Sequence, residues 1–308
     1  MDKNYDLVII GGGPAGMSAG IYAVRQDIKT MLITKDFGGQ IAKKAVRIEN
    51  YLGLNKITGI DLINKFKNHL KSFPIEFEYG SVKKIEKKGD IFLISIGKKK
   101  LISKSVIITS GADPRPLEVP GEKKYIGKGV SYCTVCDGPL YKDKVIAIIG
   151  GGNSGLESAL FMSKFAKKIY ILEYGEKLGA DRVTKDKVFK EKNIEIICSA
   201  EIKKIKGDKF VNSIIWKDRK NNREKTAEVD GIFVEVGHQP ATSFVKNLVD
   251  FSKRDEIKIN HNTCQTKTPG LFAAGDVTDV KYKQIIIAAG EGAKASLSVS
   301  KYLSNRNN

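Results

Sequence analysis

The chain of 308 residues has no apolar run approaching the roughly 20 residues that a membrane-spanning helix needs. Its first residues lead almost at once into the strand-like segment Asp6-Leu7-Val8-Ile9-Ile10. This leaves no room for the charged region, apolar region and cleavage site of a secretory signal. We therefore expect a cytoplasmic protein without membrane association, long enough for two domains of ordinary size.

Cysteine and histidine are scarce, with four and three residues respectively. Four cysteines are too few for a disulfide framework in a chain of this length. Cys198 and Cys264 have no cysteine or histidine at metal-ligand spacing and are interpreted as small buried hydrophobic residues. Cys133 and Cys136 form a closely spaced pair, but no second pair accompanies them, so no zinc or other metal site is predicted.

Arginine-rich tracts with interleaved aromatic residues are also missing, although the formal net charge is +18. The basic residues are mostly lysines in short clusters such as Lys98-Lys99-Lys100, and no nucleic-acid-binding module is recognisable. We expect these lysines to be solvated surface residues rather than a nucleic-acid surface. They would help to attract an acidic protein partner.

A glycine-rich turn follows the first apolar segment. Residues 5–10 read as a buried strand and residues 17–26 as a helix, and between them Gly11, Gly13 and Gly16 have the spacing G-x-G-x-x-G. The first glycine permits the tight turn, the second admits a pyrophosphate, and the third lets helix and strand pack closely. The helix N-terminus adds free N–H groups, so this segment predicts a dinucleotide site.

The same pattern restarts at residue 145 with a strand over 145–149, the glycines Gly150, Gly152 and Gly155, and a helix to about residue 165. After the next strand, Glu173 lies where an acidic residue would bond a ribose 2′-OH and repel a 2′-phosphate. The following Tyr174-Gly175-Glu176 offers no arginine to neutralise a phosphate. This segment predicts a site that prefers NADH to NADPH, unless Glu173 is only a solvated residue at a strand end.

Further strand-like segments follow each unit, and a helix is predicted over about 285–302. The turn-rich stretches 113–116 and 237–240 favour domain boundaries. We expect an α/β protein of two Rossmann-like domains, the second inserted into the first: residues 1–115 and 245–308 form one domain, and 116–244 the other.

The cysteine pair Cys133-Thr134-Val135-Cys136 lies between the two glycine turns. Two intervening residues suit a redox disulfide in which one thiol is accessible and the other resolves. Asp137 is a candidate proton donor or acceptor, or the cap of the next helical turn. Two dinucleotide sites around one dithiol suggest electron flow from nicotinamide through a flavin and the disulfide to a partner protein.

The order of these motifs resembles the low-molecular-weight thioredoxin reductases over almost the whole chain, and most closely the flavoprotein core of the alkyl hydroperoxide reductase F subunit. The family likeness rests on the two glycine turns, the cysteine pair, Phe37-Gly38-Gly39-Gln40, Ile48-Glu49-Asn50-Tyr51 and Gly275-Asp276. The likeness to the F subunit rests on Cys136-Asp137-Gly138-Pro139-Leu140, Leu172-Glu173, Ala180-Asp181 and residues 282–296.

The resemblance implies bound FAD and a nicotinamide nucleotide. FAD would contact Gly11, Gly13, Pro14, Ala15, Gly16, Gly39, Gln40, Asn50, Gly111, Gly275, Asp276, Gln284 and Ile285. The nucleotide would contact Gly150, Gly152, Asn153, Ser154, Gly155, Glu173, Gly237 and His238. Asp276 would hold the ribitol. Cys136 would be the sulfur nearest the flavin, and Cys133 the one that attacks the partner's disulfide.

The resemblance also implies a homodimer whose inserted domain rotates so that nicotinamide and disulfide reach the flavin in turn. NADPH-dependent thioredoxin reductases carry an arginine cluster where this sequence has Glu173-Tyr174-Gly175. The N-terminal thioredoxin-like domains of the F subunit have no counterpart here. We therefore expect electrons to pass to a separate thioredoxin- or glutaredoxin-like protein, with a peroxiredoxin as a candidate acceptor beyond it.

Two alternatives remain at this point. A ferredoxin or another reduced donor could replace the nicotinamide, although the second glycine turn and Glu173 argue against this. The second alternative is a basic flavoprotein whose role is to bind nucleic acid or a protein complex. Such a protein would have no need of a dithiol near a flavin.

Overall fold

The computed structural model describes residues 4–41 and 48–306. The strands in this part of the chain are β1 Asn4–Gly12, β2 Thr30–Phe37, β3 Glu76–Tyr79, β4 Val82–Lys88, β5 Ile91–Ile96, β6 Lys99–Ile108, β7 Ala112–Pro114, β8 Val130–Ser131, β9 Val145–Ile149, β10 Lys168–Leu172, β11 Ile194–Ile197, β12 Ala200–Gly207, β13 Val211–Asp218, β14 Arg223–Glu228, β15 Gly231–Val234, β16 His238–Pro240 and β17 Leu271–Ala273. The helices are α1 Pro14–Val24, α2 Gly59–Lys71, α3 Glu122–Tyr125, α4 Thr134–Asp137, α5 Asn153–Met162, α6 Arg182–Val188 and α7 Ile285–Ser304, with a 3-10 helix at Gly138–Tyr141.

The chain forms two compact units, and the second is inserted into the first. The first unit comprises Met1–Asp113 and Gln239–Asn308, and the second comprises Pro114–His238. The chain passes between them inside β7 and again inside β16. From the sequence we expected the changes of unit after residues 115 and 244.

The first unit is built on a parallel sheet in the order β3-β2-β1-β6, with β17 added beside β6. Ile9 of β1 pairs with Leu32 on one side and Ile107 on the other, and all three are fully buried. The continuous apolar run of β1 therefore reflects burial on both faces. The strands β4 and β5 extend this sheet from β6 in antiparallel fashion.

Helices α1 and α7 pack against each other in the first unit. A Cβ atom at Gly292 of α7 would lie 2.0 Å from the carbonyl oxygen of Ala15 in α1, so only glycine permits this approach. Helix α2 was not expected from the sequence. It begins after Thr58, whose side chain accepts a hydrogen bond from the Asp61 N–H at 3.1 Å, and Asp61 complements the helix dipole.

The second unit repeats the plan with the parallel sheet β11-β10-β9-β15-β8. Ile146 and Ile148 of β9 are fully buried, as the predicted duplication requires. The antiparallel strands β12-β13-β14 form a separate sheet in this unit. In the described residues, no helix is both long and apolar enough to cross a bilayer.

Candidate redox and nucleotide sites

Cys133 and Cys136 form a disulfide with their Cα atoms 5.3 Å apart. Cys133 caps the short helix α4, where its sulfur accepts a hydrogen bond from the Cys136 N–H at 3.2 Å. Cys136 is exposed and Cys133 is partly buried. The predicted redox pairing is therefore confirmed. Of the other two cysteines, Cys264 is buried as expected, whereas Cys198 is partly exposed.

Asp137 is held beside the disulfide by a serine. Its carboxylate accepts a hydrogen bond from the Ser131 hydroxyl at 2.6 Å, and the same hydroxyl oxygen accepts one from the Cys133 N–H at 3.0 Å. Burial raises the pKa of Asp137, and the bond from Ser131 opposes this shift. The side chain does not cap the 3-10 helix that follows, so the capping interpretation is wrong. Asp137 therefore combines a position directly after Cys136 with a raised pKa.

A buried polar network joins the redox helix to the sheet of the second unit. Thr134, between the two cysteines, has its hydroxyl 2.8 Å from that of Ser158 in α5, and Ser158 donates to Glu235 at 2.9 Å. Burial raises the pKa of Glu235 to about 7, against hydrogen bonds from Ser158 and Thr134 that lower it. Neither Ser158 nor Glu235 was predicted from the sequence to lie near the disulfide. The only signal was a charged residue inside the apolar segment 231–236.

In the first glycine turn each glycine has a distinct environment. Gly11 has φ of +122°, and a Cβ there would lie 2.2 Å from the carbonyl oxygen of Thr109. A Cβ at Gly16 would lie 1.8 Å from the carbonyl oxygen of Gly11. Gly13 directly precedes Pro14 at the start of α1. By contrast, in the part of the chain that the structure describes, no atom beyond the chain neighbours of Gly13 lies within 4 Å of a Cβ built there. The predicted division of tasks fits this geometry, with open space at the helix N-terminus.

Several residues expected around FAD come together in the first unit. The Asn50 side-chain amide donates to the Gln284 side-chain oxygen at 3.2 Å, across 234 residues of sequence. Gln284 precedes Ile285, the first residue of α7. Gly39 and Gly111 have φ of +54° and +70°. Among the described residues, no atom beyond the two chain neighbours lies within 4 Å of a Cβ built at either.

Asp276 follows the end of β17 in this unit. Burial raises the pKa of its carboxyl to about 6; the Lys283 ammonium lowers it and Glu291 raises it further. Glu291 is itself buried and accepts a hydrogen bond from the Gly275 N–H at 2.9 Å. Within the described residues the Asp276 carboxylate has no hydrogen-bond donor, which leaves it available to a ligand hydroxyl.

The second glycine turn has the same geometry as the first. Gly150 has φ of +116°, and a Cβ at Gly155 would lie 1.9 Å from the carbonyl oxygen of Gly150. By contrast, among the described residues, the space where a Cβ would be at Gly152 is open. The side chain of Asn153 accepts a hydrogen bond from the Asp181 N–H at 2.8 Å. Ser154 lies in the first turn of α5. Gly237, directly before the partly buried His238, has φ of +97° and open space among the described residues where a Cβ would be.

Glu173 contacts the second glycine turn directly. Its carboxylate accepts hydrogen bonds from the Gly151 N–H and, at 2.6 Å, from the Gly175 N–H. It is therefore held in a fixed position rather than being a freely solvated glutamate at a strand end. Its oxygens keep further lone pairs that can accept from a ribose hydroxyl.

An arginine absent from the local sequence also reaches this strand end. Arg219 donates from Nη1 to the Tyr174 carbonyl oxygen at 2.9 Å, and its guanidinium carbon lies 4.1 Å from the centre of the Tyr174 ring. The two residues are 45 positions apart. The residues that follow Glu173 in sequence contain no arginine, but the turn between β13 and β14 brings Arg219 against Tyr174.

Comparison with known proteins agrees with this geometry. A family model described as pyridine nucleotide-disulphide oxidoreductase matches residues 5–292. The alkyl hydroperoxide reductase F subunit of Staphylococcus epidermidis is 39% identical over 305 residues, which cover 98% of this chain and 60% of that protein. A Bacillus subtilis protein named NADH dehydrogenase is 38% identical over 301 residues, covering 97% and 58%. The chain thus spans about three-fifths of the length of the curated relatives it matches.

A solved structure gives a match of full length. Thioredoxin reductase from Streptococcus pyogenes superimposes with a TM-score of 0.92 at 36% identity, covering 99% of this chain and 100% of the other. The chain belongs to the pyridine nucleotide-disulphide oxidoreductase family, with the two-domain fold of thioredoxin reductases that its motifs predicted.

Proposed function

We propose that this chain is a flavin-dependent disulfide reductase that passes electrons from NADH through FAD and the Cys133–Cys136 disulfide to a thioredoxin- or glutaredoxin-like protein. The observation that carries this proposal is the disulfide itself, built into the same unit as the second glycine turn and placed beside Asp137, whose pKa is raised. Structural disulfides have no need of such a proton donor.

The first unit fits FAD. The open space at Gly13 and the N-terminus of α1 suit the pyrophosphate, the carboxylate of Asp276 suits a ribitol hydroxyl, and the Asn50–Gln284 pair suits the polar edge of the flavin ring. Bound FAD would supply the two-electron relay between nicotinamide and disulfide.

Reduction of the disulfide breaks one S–S bond and takes up two electrons and up to two protons. We assign to Asp137 the transfer of one of these protons, because it directly follows Cys136 and burial raises the pKa of its carboxyl. The Cys133 thiolate then attacks one sulfur of the partner's disulfide, whose other sulfur leaves as a thiolate. Cys136 attacks the mixed disulfide and releases the partner as a dithiol, which restores the oxidised pair.

NADH is the proposed donor because Glu173 is fixed at the end of β10 and a carboxylate there repels a 2′-phosphate. The name of the Bacillus subtilis relative also supports this choice. Anaerobic stopped-flow absorbance of the FAD-loaded protein should show flavin reduction at least tenfold more efficient with NADH than with NADPH. A preference for NADPH contradicts the donor assignment. Reduction by neither nucleotide favours a ferredoxin-like donor instead.

The partner and the assembly are also part of the proposal. The thioredoxin reductase relative supports a thioredoxin-like substrate. The peroxiredoxin beyond it and the homodimer are implied by the resemblance of the sequence motifs to this family. In an assay that contains NADH, thioredoxin and a peroxiredoxin, the rate of NADH oxidation should depend on the presence of the thioredoxin. Sedimentation of the FAD-loaded protein should give twice the mass of the chain.

A further inference from the structure

Arg219 is fixed against the end of strand β10 by three contacts. Its backbone N–H donates to the Ser199 carbonyl oxygen at 2.8 Å, its Nη1 donates to the Tyr174 carbonyl oxygen at 2.9 Å, and its guanidinium lies over the Tyr174 ring. Arginine side chains at a hairpin tip ordinarily extend into water. This one is placed before any ligand binds.

The turn between β13 and β14 is built to present it. The Asp218 carboxylate accepts hydrogen bonds from the Lys220 N–H at 3.0 Å and the Asn221 side chain at 3.1 Å, and it pairs with Lys225 at 3.0 Å. These bonds fix the turn directly around Arg219. In the described chain Arg219 has no carboxylate partner within 4.0 Å, so its charge is not used in an ion pair.

The position of Arg219 matters because Tyr174, which it contacts, directly follows Glu173. In a βαβ dinucleotide site the pyrophosphate lies at the glycine turn and the adenosine ribose lies at the acidic residue that ends the second strand. That residue is Glu173, which contacts Gly151 and directly precedes Tyr174. The Tyr174–Arg219 stack therefore borders the adenosine half of the site. Both side chains are exposed, and the guanidinium carbon lies 4.1 Å from the centre of the Tyr174 ring.

We propose that Arg219, supported by Tyr174, forms a stacking wall for the adenine ring of the nicotinamide nucleotide. This rests on the proposed function, since it deepens the description of the same nucleotide site. A guanidinium is planar and weakly hydrated, so its open face suits a purine. Because the group is already fixed, little conformational entropy is lost on binding. The alternative is that Arg219 only anchors the hairpin, or that it pairs with a 2′-phosphate.

Nucleotide fragments without a nicotinamide separate these roles from the chemistry. Isothermal titration of the FAD-loaded, oxidised protein with ADP-ribose and with 2′-phospho-ADP-ribose should show that Arg219→Ala weakens both about five- to tenfold. Arg219→Lys keeps the charge but not the planar guanidinium. Its loss of affinity for both fragments, on a logarithmic scale, should be about half of that for Arg219→Ala. Arg223→Ala removes a charge from the same hairpin and is the matched control, with a change below about twofold.

Tyr174 provides a second pair of variants that leaves Arg219 intact. Tyr174→Phe keeps the supporting ring and should bind like the unchanged protein, whereas Tyr174→Leu should weaken both fragments by about the same factor as Arg219→Ala. Thermal melting checks that each variant is folded.

The outcomes are distinguishable. Unchanged binding of both fragments by folded Arg219→Ala and Arg219→Lys overturns the stacking wall but leaves the proposed function in place. A loss at least tenfold larger for the 2′-phospho fragment also overturns it, and makes Arg219 a phosphate ligand. If the unchanged protein binds neither fragment and neither nucleotide reduces its flavin, the proposed function itself fails.

Discussion

At the scale of single residues, burial raises the pKa of Asp137 next to the disulfide, and this supports its proposed role in proton transfer. Its carboxyl is held by Ser131, which also bonds the backbone of Cys133. Asp137→Asn keeps an oxygen that accepts the hydrogen bond from Ser131 and removes the titratable carboxyl group. We expect at least a tenfold lower turnover with a thioredoxin-like substrate, and a weaker pH dependence of that step. Steady-state kinetics from pH 5.5 to 8.5 measures both. Ser131→Ala removes the hydrogen bond that holds the Asp137 carboxyl and leaves the carboxyl itself, so it is the control for the position of this group. Equal pH profiles in Asp137→Asn and the unchanged protein would contradict the assignment.

Glu235 leads to a prediction about stability. Burial raises its pKa to about 7, whereas in the unfolded chain it titrates near 4.3. Between these values the folded protein retains a proton that the unfolded chain has released. The resulting stabilisation is complete below the unfolded pKa and is lost as the pH rises through 7. Glu235→Gln removes this dependence.

The free energy of unfolding of Glu235→Gln, relative to the unchanged protein, should therefore increase by about 1–3 kcal/mol from pH 5 to pH 8. Urea denaturation at both pH values measures it. The exposed Glu228, also in the second unit, gives the control Glu228→Gln, for which the difference should stay flat. A flat difference for Glu235→Gln as well would show that this carboxyl is ionised throughout.

At the scale of elements, the glycine turns separate a folding requirement from a binding one. A Cβ at Gly16 would lie 1.8 Å from a backbone oxygen, whereas the space at Gly13 is open. We expect Gly16→Ala to destabilise the first unit by about 3 kcal/mol or more. Gly13→Ala should leave stability within about 1 kcal/mol and weaken FAD binding at least tenfold, because the added methyl group occupies the space of the pyrophosphate. Urea denaturation and flavin absorbance after dialysis distinguish the two. A Gly13→Ala protein that retains FAD would place the pyrophosphate elsewhere.

The same elements show what sequence can and cannot predict. Strands β1 and β9 were predictable because parallel strands buried on both faces are continuously apolar, and the turns after them because glycine alone tolerates their geometry. Helix α2 lacked this signal: only its Thr58 cap and its amphipathic pattern indicate it. Glu235 and Arg219 could not be placed at all, because their contacts join residues 77 and 45 positions apart, and only the fold brings them together.

At the scale of the whole molecule, the order of the two sulfurs in the reaction is the central question. The inserted unit carries both sulfurs, and the chain joins the two units at two places, after residues 113 and 238. Family resemblance gives Cys133 to the partner and Cys136 to the flavin, and implies rotation of the inserted unit between these tasks. In this structure, however, Cys136 is the more exposed of the two.

Two variants determine which of the two sulfurs attacks the partner's disulfide. Cys136→Ser leaves Cys133 without a resolving thiol, so it should hold a thioredoxin variant lacking its own resolving cysteine as a stable mixed disulfide. Cys133→Ser should give little adduct, because the family resemblance assigns the remaining sulfur to the reaction with the flavin. Non-reducing electrophoresis and intact mass spectrometry measure the yields, with reduction by dithiothreitol as the check that the bond is a disulfide. A higher yield from Cys133→Ser would reverse the two tasks. The exposed sulfur would then be the attacking one, and the partner could be reduced without the rotation that the present assignment requires.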